Sequence, residues 1–498
     1  MSSVISACAQ IQFPGIVTIP APGLTRIAAP ARTQIPSATA TQQLNTQNHT
    51  ALPSLPLPPT SQHAPRSLPN YTIAALIDYE NMTMDVQQEI DVPNPSKSTI
   101  TEMLLGVQPN RIPGVFELVE LRYNNQTVND YTLEGQRLQW KLTHPFLADQ
   151  TARISVHYRL NLPTIEQGDP NLMRPQIFGV TPRQINLTDW YPMLVPYKDP
   201  DGWLLHDPWA YGEHLVYPSA NFDVTLRFTD PTDVPEIASS GANQPGTDGS
   251  HYILQNGRDF VFAMGKQMKS KSDRVGNVTV NSFYYPGSEN AGQAALDTTL
   301  QAVKTYSALF GNYSHQTLTV VQGDFNDGME FDGLYYLSNS FYDQYDDSPK
   351  SFLVTVAAHE TSHQWWFGRV ANDQNNEPWM DEALATYCEK LFYEKNHPEA
   401  LDWWWAYRID FYQPEGKIDG SVPSYGGFTP YTNATYRQGA RFFDELRQQI
   451  GDETFYAFLK DYAAQMDGKI ANSADFFRIL SEHNPADVST LESKYFSK

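Results

Sequence analysis

The residues that could do chemistry here are His359-Glu360-Thr361-Ser362-His363 and, after eighteen intervening residues, Glu382. Two histidines four positions apart stand on one face of a helix, near enough to share one ion. Zinc takes imidazole nitrogen and carboxylate oxygen readily, and three protein ligands leave a fourth position open for water. Structural zinc sites are closed and usually rich in cysteine, but this chain has two cysteines, Cys8 and Cys388, far apart. The spacing therefore predicts a catalytic zinc site, with His359, His363 and Glu382 as ligands. Glu360, on the neighbouring stripe of the helix, suits a general base acting on water. The competing reading is two core-facing histidines among unrelated acids. It requires Glu382 to reach a facing helix by accident.

Positioning these groups takes two helices and a strand. Ser348 offers a cap and Pro349 a first helical residue, with Gly368 as the stop. Between them Phe352, Val356, His359, His363 and Trp366 recur at spacings of four and three, which predicts an amphipathic helix with both imidazoles inward. A second helix is expected from near Pro378 through Trp379, Glu382, Leu384, Tyr387 and Leu391, ending before Asn396. Upstream, Gly328-Met329-Glu330-Phe331-Asp332-Gly333 reads as an edge strand beside the cleft, after a strand near Val278 to Tyr285, a helix from Glu289 to Phe310 and a strand over Leu318 to Val321. Downstream, Tyr436 opens another helix through Phe442, Leu446 and Ile450. Two short helices, around Phe455 to Met466 and Ser473 to His483, finish the chain.

The chain as a whole bounds the possibilities. Its 498 residues accommodate two or three domains. A formal charge of -22, from 56 acidic against 34 basic side chains, disfavours nucleic acid and anionic membranes as partners. No apolar run approaches the roughly 18 residues of a spanning helix. Residues 1–69 hold no Asp or Glu and eleven of the 36 prolines, which predicts a disordered linker. At its head, Ile5-Ser6-Ala7-Cys8 resembles the end of a bacterial lipoprotein signal, although the charged and apolar regions that precede such a site are missing. Two readings stay open: export with a lipid anchor through Cys8, which places the protein on a bacterial cell surface, or a chance match in a soluble cytoplasmic protein. Residues 70–276 alternate at period two, as in Ile154, Val156, Tyr158 and Leu160, and predict an antiparallel β-domain. Residues 277–498 read as mixed α/β.

The ordered motifs Gly328-Met329-Glu330, His359 to His363 with Gln364-Trp365-Trp366, Trp379-Met380-Asp381-Glu382-Ala383 and Tyr436 resemble the aminopeptidase N-like gluzincin metallopeptidases, the family that includes leukotriene hydrolase. The resemblance runs from about Tyr71 to the end of the chain. It implies a multidomain α+β fold: a β-rich N-terminal domain, then a thermolysin-like catalytic domain with a short helical C-terminal tail. It also implies one Zn2+ per chain and peptide substrates cleaved at the N-terminal residue. Glu330 would hold the substrate α-amine, Gly328 and Met329 would offer backbone groups to the peptide, and the Tyr436 hydroxyl would donate to the oxyanion, with Tyr431 a second cleft tyrosine. Phe331 stands where the family has asparagine, and Arg437-Gln438 where it has Glu-Lys. Asn186-Leu187-Thr188-Asp189-Trp190-Tyr191-Pro192 does not match the family's amine-binding stretch. These departures touch the exopeptidase assignment more than the hydrolytic chemistry. An endopeptidase or oligopeptidase using the same site, and a catalytically silent surface-tethered scaffold, stay open beside it. Asn-x-Ser/Thr sequons occur at Asn125, Asn277 and Asn433; a glycan at Asn433 would obstruct the cleft beside Tyr436, which favours a bacterial source. Oligomeric state has no signature in the sequence.

Overall fold

A computed structural model describes residues 68–165, 176–245, 249–326, 328–484 and 487–497. The Pro-rich linker and Cys8 lie outside the described residues. No helix among the described residues is long and apolar enough to cross a membrane.

The period-two segments form strands whose apolar face is buried. In Thr151–Asn161, residues Ala152, Ile154, Val156, Tyr158 and Leu160 are buried in turn, while their neighbours face outward or stand half-buried. Among the described residues an eight-stranded sheet runs in the order Ala242–Gln244, Ser250–Gly257, Ala220–Phe228, Asn70–Asp78, Thr83–Pro93, Thr151–Asn161, Phe116–Tyr123 and Gln126–Thr127. The expectation of a wholly antiparallel domain is corrected at one pair: Asn70–Asp78 lies parallel to Ala220–Phe228, with Tyr71 opposite Phe222. A parallel pair needs a long crossover, and alternation within either strand says nothing about that connection.

The sheet that carries the site follows the order Lys269–Val275, Val278–Tyr284, Thr317–Gly323, Leu334–Ser338, Met329–Phe331. Its first two strands form a hairpin across Gly276, which has φ +58°, so the sheet begins ahead of Asn277. Val278–Tyr284, the helix Glu289–Phe310 and Thr317–Gly323 make a βαβ unit with parallel strands. Met329–Phe331 pairs antiparallel with Leu334–Ser338 at the sheet edge, as expected from Gly328 to Gly333.

The helix of the HExxH motif spans Phe352–Ser362 and packs against Glu289–Phe310 and the second motif helix, Trp379–Asn396. Three expectations for it need correction. Its cap is Ser351, whose hydroxyl accepts from the Val354 amide at 3.4 Å, while Ser348 and Pro349 lie in the preceding loop. It is not amphipathic, because every residue from Leu353 to Ser362 is buried. It stops at Ser362, well before Gly368, because the chain must turn there to bring the Trp366 carbonyl to Nδ1 of His363 at 3.0 Å. Gly368 is needed for another reason: a β-carbon there would stand 2.9 Å from Oδ1 of Asp332.

Arg258 joins the two halves of the molecule. Its buried guanidinium donates to the carbonyls of Gly368, Arg369, Lys469 and Tyr217, and its amide donates to Asp332, so the β-rich region grips the turn after the HExxH helix. The last helices are Asp452–Gln465, Ser473–His483 with a capping box from Asn472 and Asp475, and a third not expected from the sequence, Ser489–Tyr495. That third helix is too short for an apolar repeat to declare itself.

Candidate metal centre and active site

The two motif helices bring His359, His363 and Glu382 together, with their ligand atoms all within 4.8 Å of one another and all three side chains buried. Oε2 of Glu382 lies 3.2 Å from Nε2 of His359 and 3.6 Å from Nε2 of His363. The outer nitrogens are already committed. Nδ1 of His359 meets Oε1 of Glu389 at 2.8 Å, and Nδ1 of His363 donates to the Trp366 carbonyl. Those partners keep a proton on each Nδ1 and turn both Nε2 atoms toward Glu382, the side on which a metal would take their lone pairs. Nε2 of His363 is buried without a hydrogen-bond partner. Two imidazole nitrogens and a carboxylate oxygen, with one nitrogen orphaned, form a donor set that fits zinc. A second buried group, Glu330, Glu360 and His363, also meets within 4.8 Å, but it offers one nitrogen and leaves His359 unused.

The electrostatics are those of a site built for a cation. Burial pushes Glu382 up, but the contact with His359 and the charge of both imidazoles override it and hold its carboxyl far below the usual range. Burial alone would depress His363, yet the carboxylates of Glu330, Glu382 and Glu360 raise it well above an ordinary histidine. Glu330 is raised chiefly by burial. Burial and the neighbouring Glu382 charge push Asp381 up to about 8.

Glu360 lies beside this cluster, buried, and its position explains Gly328. A β-carbon at residue 328 would collide with Oε1 of Glu360 and stand 2.6 Å from Cγ1 of Val356. Gly328→Ala is therefore expected to displace the Glu360 carboxylate while sparing His359, His363 and Glu382. On the hydrolytic reading developed below, the expected result is a loss of about 100-fold in kcat, with zinc content, measured by atomic absorption, unchanged.

Tyr436 reaches the site from a third helix, and one expectation fails here. Tyr436 does not open that helix. The helix begins at Phe428, passes through a π-helical segment, Asn433–Gln438, and continues as Gly439–Ile450. The wider turn places the Tyr436 ring nearly parallel to that of His359, at 8° with centroids 6.1 Å apart. Gly439 lets the helix lie directly on Ala383, next to Glu382, since a β-carbon there would collide with the Ala383 methyl. Tyr431 packs edge-on against Tyr436 at 5.7 Å and belongs to an aromatic cluster with Tyr211 and Phe428.

Glu330, on the edge strand, is buried and accepts a hydrogen bond from Nε2 of Gln374 at 3.2 Å. Met329 alternates with it and joins the apolar cluster of Phe325, Phe331 and Tyr336 on the opposite face. Beside Phe331 lies a cavity of about 340 Å3, bordered by Thr188, Asp189, Trp209 and His214. The stretch from Asn186 thus borders this cavity through Thr188 and Asp189, although its pattern is unlike the family's.

Sequence reasoning missed the groups behind the site. Glu389 is fully buried and accepts from Nε and NH2 of Arg408 at 2.9 and 2.8 Å and from Nε1 of Trp404 at 2.8 Å, as well as facing His359. Seven residues after Glu382 on the same helix, it shares that residue's face, and this spacing was the available signal. Arg408 comes from a π-helical segment, Trp405–Ile409, and nothing in the sequence marks it.

Two helices that carry HExxH and a following glutamate, beside a sheet whose edge strand borders the cleft, define a gluzincin-type centre. Comparison with known proteins agrees. Residues 294–495 match the peptidase family M1 domain. That match is consistent with the resemblance to the aminopeptidase N-like gluzincins. It is 26% identical over 259 residues to aminopeptidase 2, mitochondrial, of Saccharomyces cerevisiae, an alignment covering 48% of this chain and 26% of that protein. It is 26% identical over 257 residues to endoplasmic reticulum aminopeptidase 1 of Mus musculus, covering 48% of this chain and 27% of the relative. The match thus spans about a quarter of the length of these relatives. The crystal structure of an M1 zinc metallopeptidase from Deinococcus radiodurans superposes with a TM-score of 0.61 at 17% identity, covering 86% of this chain and 94% of that one. A mutant of that enzyme bound to a Tyr-Ser-Ala substrate gives the same TM-score and coverage. The expected multidomain α+β fold, with its β-rich N-terminal part, is borne out by these folds.

Proposed function

We propose that this protein is a zinc-dependent metallopeptidase that removes N-terminal residues from peptides, with His359, His363 and Glu382 holding the metal. When bound, zinc supplies Lewis acidity, which makes water a nucleophile at neutral pH and polarises the scissile carbonyl. Glu360 takes the proton of the attacking water and passes it to the departing amine. The Tyr436 hydroxyl donates to the oxyanion formed at the carbonyl carbon. Gly328 and Met329 present main-chain groups to the peptide along the open edge of their strand.

The observation that carries the aminopeptidase reading is Glu330, a buried carboxylate on the edge strand whose ligand atom falls within 4.8 Å of Glu360 and His363. A fixed anion there pairs with the α-ammonium of a substrate and sets the scissile bond one residue away. The test is Glu330→Ala on free and N-acetylated forms of the same peptides. The expected result is that KM for free N-termini rises about 10- to 100-fold while the blocked peptides, poor substrates from the start, are unaffected. An unchanged KM for free N-termini would remove Glu330 from this role and favour the endopeptidase reading.

A further inference from the structure

Glu330 sits in a position with two possible partners. Its carboxylate lies close enough to His363 and Glu360 to join a metal-binding group with them, and it must instead face a substrate amine. A glutamate side chain has three rotatable bonds, so something must hold it off the cation. Its carboxylate accepts a hydrogen bond from the side chain of Gln374, a neutral amide that is itself only 4% exposed.

Gln374 is set firmly. It lies in the turn between Ala371–Asn372 and the second motif helix. In that turn Asp373 accepts from the Asn376 amide at 3.1 Å and side chain at 2.9 Å, and its carbonyl accepts from the Glu377 amide at 2.7 Å. The Asn375 carbonyl accepts from the Val422 amide at 2.8 Å. From the β-rich region, Nε2 of His206 meets the same Asp373 carboxylate at 2.9 Å. The turn is thus clamped from both halves of the molecule, and Gln374 projects from it onto Oε1 of Glu330.

We infer that Gln374 is a positioning residue that holds Glu330 as an ammonium anchor and keeps it from becoming a metal ligand. The inference rests on the aminopeptidase reading. Occupying one carboxylate oxygen with a fixed amide leaves the other to receive the substrate amine, whereas a free Glu330 would swing toward the cation beside His363.

The test is equilibrium binding, by titration calorimetry, of phenylalanyl-alanine and its N-acetyl form to zinc-loaded protein made catalytically silent by Glu360→Gln. Gln374→Met keeps length and removes the donor; Gln374→Asn keeps the amide and removes its reach. Each is expected to weaken the free dipeptide about tenfold, leave the acetylated one unchanged, and add nothing in a Glu330→Ala background. Equal weakening of both ligands, wild-type affinity in both Gln374 variants, or a full additional loss in the Glu330→Ala background would overturn the assignment while the aminopeptidase reading stands. Equal affinity of the two dipeptides for protein that retains both Glu330 and Gln374 would overturn that reading and this assignment with it.

Discussion

Glu360→Gln is expected to keep about one zinc per chain and lower kcat by roughly 10³- to 10⁴-fold. The amide is isosteric, so Gly328 and Val356 still enclose it, and none of the three metal donors is touched. What is lost is a carboxylate able to accept a proton from water and return it to the leaving amine. A glutamine can do neither. Metal analysis beside steady-state hydrolysis reads the two effects separately. Full zinc with undiminished turnover would mean that another group is the base, while loss of zinc would mean that Glu360 itself helps hold the ion.

The second large effect is expected from Arg408→Met, far in sequence from the motif. Arg408 is 4% exposed, and its guanidinium forms a bidentate pair with Glu389, which is 0% exposed and faces His359. Burial pushes Glu389 up, but the Arg408 charge and the His359 hydrogen bond prevail and hold it near about 2. Removing the guanidinium strands a buried carboxylate, a change that costs about 3–5 kcal/mol. Because Glu389 is depressed from its ordinary 4.5, its contribution to stability is complete above that value and disappears as pH falls toward about 2. In the variant the Glu389 carboxyl rises, so the destabilisation should be largest near neutral pH and shrink as the pH falls and the carboxyl takes up a proton. Zinc affinity should fall about 10- to 100-fold, since Glu389 no longer holds the His359 tautomer firmly. Urea unfolding at two pH values and competition with a zinc chelator measure these effects. A variant with the original stability and affinity would show that the pair behind His359 is inert.

The centre of the site was readable because its chemistry is local. His359, Glu360 and His363 lie within one helical turn and a half, and Glu382 needs only a second helix whose start Pro378 marks. The same applies to the helix Glu289–Phe310, whose bounds follow the apolar repeat closely. What was not readable depends on tertiary context. The HExxH helix is buried on all sides, so its apolar pattern carries no face, and its end is set by a bond from His363 to the Trp366 carbonyl rather than by Gly368. Tyr436 lies within a helix because a π-helical turn accommodates it, and no propensity marks a π turn. Arg408 and Gln374 are polar residues in ordinary-looking segments, and their roles come from what the fold sets opposite them.

The most direct test of the account is zinc content together with hydrolysis of paired free and N-acetylated peptides, with and without a chelator. The account predicts about one zinc per chain and chelator-sensitive cleavage confined to free N-termini. A full complement of zinc with no hydrolysis of any peptide, or equal cleavage of blocked and free peptides, would contradict it.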